Sequence, residues 1–159
     1  MNKNFSSKTL NNIVSISISI TLILFILIPL LLNYFFKNTL GLVGGNISLF
    51  VSTGIYICII PYLIALITLK KLCALIDNKN PFSKETTYFL KIISLCSFSE
   101  FFIFNMVQLF LCNLFDIYLY SINLIPTVLI SFISLFIGLF SFVLYKINYE
   151  IIKIKKSRS

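Results

Sequence analysis

The sequence predicts an all-α integral membrane protein, a bundle of four transmembrane helices in a single membrane domain over residues 1–159. Three observations carry that prediction. The chain is 58% hydrophobic, only 11% of its residues are charged, and those charges gather between long apolar runs instead of decorating helix faces. A water-soluble domain keeps roughly a quarter of its residues charged, so this chain needs lipid as its solvent.

The first span is expected over about residues 13–36, an apolar run long enough to cross a hydrocarbon core of roughly 30 Å at about 1.5 Å per residue. Its start, Val14 to Thr21, alternates serine and isoleucine with the period of a strand, but the unbroken apolar continuation favours a helix. The run outlasts the apolar core of a signal peptide and meets no small-residue cleavage site, so it is expected to stay uncleaved. Lys37 to Asn46, with Gly41, Gly44 and Gly45, reads as a short outer turn.

The second span, about residues 47–69, stops at Lys70 and Lys71. Pro29 in the first span and Pro61 in the second each lack an N–H, which frees the carbonyls of Phe25 and Ile57 and predicts a kink at each place. Residues 70–86 form the one long polar loop, in which Ser83 is placed to cap the next helix and Glu85 to complement its positive end. The third span follows over about residues 88–112. Asn113 to Pro126 is expected to lie along the outer surface, with Pro126 in the first turn of the fourth helix. That helix spans about residues 126–145 and leaves as a basic tail through Lys153, Lys155, Lys156 and Arg158.

Nearly all the lysines fall on one side: Lys3 and Lys8, the group from Lys70 to Lys91, and the C-terminal set, with Lys37 alone opposite. The positive-inside rule makes that side cytoplasmic, so both termini and the central loop are expected inside, in the bacterial cytoplasmic membrane. The net charge of +8 is then accounted for by anionic headgroups. Nucleic-acid binding is not expected, because the 17 Phe lie mostly within the apolar runs and no basic stripe with exposed aromatics occurs.

Chemistry has little to work with. The chain holds no His and five scattered acids, and Cys58, Cys73, Cys96 and Cys112 form no CxxC pair, so no metal, cofactor or nucleophilic site is expected and the chain reads as non-enzymatic. Glu100 is the one acid deep in a span, where an ionisable group costs a few kcal/mol unless it meets protein or water. Gln108 lies two turns along the same face, Phe104 between them, Cys96 one turn before and Asn105 to one side. This candidate intramembrane polar site reads either as a proton or cation site or as a polar contact holding helices together. Asn33 and the serines of the first and fourth spans read as interhelical contacts. Asn46-Ile47-Ser48 matches a glycosylation acceptor but abuts the bilayer.

The central stretch, from Leu72 through Asp77-Asn78-Lys79-Asn80-Pro81-Phe82-Ser83-Lys84-Glu85, resembles the signature of DUF2975, a bacterial family of small four-span membrane proteins. Asn80-Pro81-Phe82-Ser83 is its most telling part, and the layout agrees over nearly the whole chain. Relatives commonly end in an acidic stretch, whereas this chain ends Lys155-Lys156-Ser157-Arg158-Ser159. The family has no assigned activity. Its members often stand beside small helix-turn-helix regulators, which implies a role as partner or sequestering anchor of such a regulator, with Asn80, Pro81, Phe82, Ser83 and Glu85 as the docking loop. The same residues also suit a turn and the start of a helix. The competing readings are a small transporter or channel component using Glu100 and a toxin-immunity protein; lipid is the expected partner of all three, and a homo-oligomer is compatible with each.

Overall fold

A computed structural model describes residues 3–39, 45–77, 82–115 and 120–157. They form four helices: α1 (Lys3–Thr39), α2 (Gly45–Asp77), α3 (Lys84–Phe115) and α4 (Tyr120–Ser157). Each contains a stretch long and apolar enough to cross a membrane. With 32 to 38 residues apiece, they measure about 48–57 Å at 1.5 Å per residue, well beyond a core of roughly 30 Å. That is more than a perpendicular crossing needs.

α1 and α2 continue as helix through Pro29 and Pro61. Helices persist at such positions in lipid because neighbouring groups re-satisfy the freed carbonyl. For Pro29 the neighbour is visible: the Tyr56 hydroxyl of α2 donates to the Phe25 carbonyl at 3.1 Å. The two rings lie beside each other with centroids 4.4 Å apart.

Of the segment expected along the outer surface, the described residues are helical. α3 continues to Phe115 and α4 begins at Tyr120, six residues before Pro126. Each residue added to an existing helix gains a backbone hydrogen bond without repeating the cost of nucleation, which favours extension over an irregular backbone at a membrane surface. Asp116 and Tyr118 lie outside the described residues, as do Gly41 and Gly44 of the first turn.

Among the described residues α1 packs on α2, α2 on α3 and α3 on α4, and no other pair of helices touches. The bundle is therefore an open row in chain order. Its packing changes character along the helix axes. In mid-span the buried positions are small or polar, among them Ser52, Ser94, Ser97, Ser134 and Ser141. The buried hydrophobic residues Leu72, Cys73, Leu90 and Ile93 gather at the end that carries the central loop, and Leu69, Phe89 and Tyr145 pack against the Leu72–Leu90–Ile93 cluster. In lipid a buried leucine gains nothing over an exposed one, so close approach of small residues drives association. The cluster itself lies beside Lys70, Lys71 and Lys91, near the ends of the apolar stretches of α2 and α3.

Candidate functional site

The loop end is built from Ser83 outward. Its hydroxyl accepts from the Thr86 N–H at 3.1 Å, and its carbonyl accepts the Thr87 N–H at 3.1 Å and the Thr87 hydroxyl at 3.1 Å. This is the expected cap, and it starts α3 at Lys84. Glu85 stands in that first turn, exposed, where its charge complements the helix end. Thr86 and Thr87 are buried behind it.

Phe82 does not share in the capping. Its side chain is 60% exposed, one residue ahead of the cap, and Tyr88 is exposed to a similar degree one turn and a half later. Asn80 and Pro81 lie outside the described residues. Of the expected docking residues, Phe82, Ser83 and Glu85 thus stand together at the start of α3, at the end of the molecule that carries the Leu72–Leu90–Ile93 cluster. Cys73, at 1% exposure, closes that packing from α2.

The intramembrane polar residues divide between two faces of α3. Glu100 is half-buried and lies near Cys58 of α2 as well as Cys96 of its own helix. Val107 and Leu111, two and three turns further along that face, meet α2 at Gly54, where an added Cβ would stand 2.7 Å from Val107 Cγ1. Gln108 is half-buried, as are Phe104 and Cys96. No described side chain hydrogen-bonds to Glu100; the two thiols beside it are weak donors. Glu100 sits nine residues past Lys91, about 14 Å along the axis and near the bilayer midplane.

The other face of α3 forms a polar seam with α4. The Ser94 hydroxyl donates to the Gly138 carbonyl at 3.1 Å, the Ser134 hydroxyl to the Ser97 carbonyl at 2.9 Å, and the Asn105 amide to the Ser131 hydroxyl at 3.0 Å. Gly138 allows this approach, since a Cβ there would lie 3.3 Å from the Phe98 ring. Ser131, Ser134, Gly138 and Ser141 repeat at intervals of three and four, a small-residue seam of heptad spacing that the sequence displays plainly. The serines of the fourth span act as interhelical contacts, as expected. Those of α1 do otherwise: Ser17 and Ser19 donate to the carbonyls of Ile13 and Ser15 in their own helix. Ser94 and Ser97 had no distinguishing signal except their alignment with that seam.

An all-helical chain with four apolar helices of spanning length, stitched by serine hydroxyls in mid-span and by leucine and isoleucine at one end, is a multi-pass membrane protein. The chain belongs to the DUF2975 family, described as proteins of unknown function, whose model matches residues 44–157. The match takes in α2, α3 and α4, the helices that share the Leu72–Leu90–Ile93–Tyr145 packing, together with the whole central loop. No curated protein and no solved structure matches the chain.

Proposed function

We propose that this protein is a non-enzymatic membrane anchor whose central loop docks a cytoplasmic protein, with both termini on the same cytoplasmic side. The observation that carries this reading is Phe82. Ser83 and Glu85 are accounted for by starting α3, but a phenylalanine 60% exposed beside them contributes nothing to the cap. A large aromatic presented beside a capped helix start has the character of an interface anchor. The charge distribution supports the orientation, since the lysines crowd the side that bears this loop. The family resemblance implies a small helix-turn-helix regulator as the partner, and sequestering it at the membrane is the function that follows.

A photocrosslinking residue placed at position 82 in cells, with mass spectrometry of the adducts, tests this directly. A soluble DNA-binding regulator attached at that position is the expected product. Adducts to lipid or to the protein itself alone would end the docking reading.

Glu100 favours a second reading, a transporter or channel component, because it is half-buried at mid-span without a hydrogen-bond partner among the described residues. An open row in which α1 and α4 do not meet encloses no path by itself, so such a function would need further copies or another subunit. Proton-coupled flux into vesicles that persisted in Glu100→Gln would remove Glu100 from any transport role.

A further inference from the structure

We propose that Lys70, Lys71, Lys91 and Lys146 form a collar that binds the phosphodiester headgroups of anionic phospholipids. These lysines come from three helices that are far apart in the chain, yet the packing of the loop end draws them to one level. Lys70 follows Leu69, Lys91 follows Leu90 and Lys146 follows Tyr145, and these three neighbours belong to one apolar cluster. All four lysines are exposed, and none makes an ion pair with a described acid.

The acids stand further out. Glu150 is one turn beyond Lys146 and Glu85 six residues loopward of Lys91, both away from the bilayer. The collar itself is therefore uniformly positive. Lys84 and Lys153 lie further out than the collar, at the levels of Glu85 and Glu150.

Toward the bilayer, each lysine has an exposed apolar residue one turn away on the same helix face. Ile67 lies below Lys70 and Lys71, Leu95 below Lys91, and Phe142 and Val143 below Lys146. Positive charge above and open apolar surface below is the complement of one amphipathic molecule, an anionic headgroup with its acyl chains. An acidic protein surface or free phosphate would match the upper half alone. The collar thus goes beyond general attraction to the membrane: it selects lipid by headgroup charge, and it does so whether or not the central loop docks a protein.

The test uses the full chain in a neutral detergent, exposed to equal amounts of phosphatidylglycerol and phosphatidylcholine and read by native mass spectrometry. Phosphatidylglycerol should be retained at least about fivefold over phosphatidylcholine, the preference that one well-placed lysine supplies. Replacing all four lysines by glutamine should bring the ratio to near unity, whereas the four Lys→Arg changes, which keep the charge and the insertion signal, should preserve it. Glutamine at Lys153, Lys155 and Lys156 should leave the preference unchanged. Equal retention in the native chain, loss of preference in the tail variant, or displacement of the lipid by equimolar inorganic phosphate would each overturn the proposal.

Discussion

Single residues decide how each helix start and proline is made tolerable. Ser83 satisfies the Thr86 N–H, so Ser83→Ala should cost about 1 kcal/mol at the start of α3. Faster amide exchange confined to residues 84–88 would register that loss, and unchanged protection would show that the cap is dispensable. Tyr56 gives its hydroxyl to the carbonyl that Pro29 leaves free. Tyr56→Phe should lower resistance to denaturing detergent by about 0.6 kcal/mol, the average for hydrogen bonds between membrane helices. Tyr56→Ala should cost more, because it also removes the ring packed against Phe25. Equal losses in the two variants would mean that ring packing contributes nothing.

At the scale of elements, α3 is the helix that joins α2 to α4. One of its faces meets α2 at Gly54 and the other meets α4 at Gly138, and both contacts are close enough to exclude a side chain without adjustment. Gly54→Val drives new atoms into Val107, a β-branched residue with little rotamer freedom in a helix. A loss of about 1–3 kcal/mol is expected, read as a lower midpoint in a detergent unfolding titration. Val107→Ala in the same chain should restore most of it, and failure of that rescue would place the clash elsewhere. The two faces also explain why the polar residues of α3 behave differently. Asn105 and the serines are spent on α4, whereas Glu100 faces α2, which offers it the Cys58 thiol.

For the whole molecule, the arrangement is a row with two free edges. Among the described residues α1 touches α2 alone and α4 touches α3 alone, so the lipid-facing surface is large and the apolar side chains of α1 stay mostly exposed. In a chain freed of its native cysteines, Ser97→Cys with Ser134→Cys should oxidise readily within one molecule, since the Ser134 hydroxyl reaches the Ser97 carbonyl at 2.9 Å. Ile20→Cys with Phe136→Cys, on α1 and α4, should not form an intramolecular bridge. Efficient bridging of the second pair would close the row into a compact bundle and revive an enclosed path past Glu100.

The amino-acid sequence by itself determined the class, the number of spans and the starting signal of α3. Four apolar runs admit no solvent but lipid, and lipid forces each run to satisfy its backbone internally as helix. Ser83 was legible as a cap because capping is local, a matter of three residues. The freed Phe25 carbonyl was legible for the same reason, but its donor was not: Tyr56 lies 31 residues away, and only the packing of α1 on α2 brings the two together. The start of α4 was misplaced, at Pro126 instead of Tyr120, because polar and aromatic side chains signal an interface without saying whether the backbone stays helical there. Tertiary structure alone decided which face of α3 receives which neighbour, that Phe82 remains outside the cap it adjoins, and that lysines from three helices meet at one level. Those outcomes depend on the depth at which helices align, and that depth is set by side-chain packing between helices: the leucine and isoleucine cluster at the loop end, and the close approach of small residues in mid-span, where hydrophobicity distinguishes nothing.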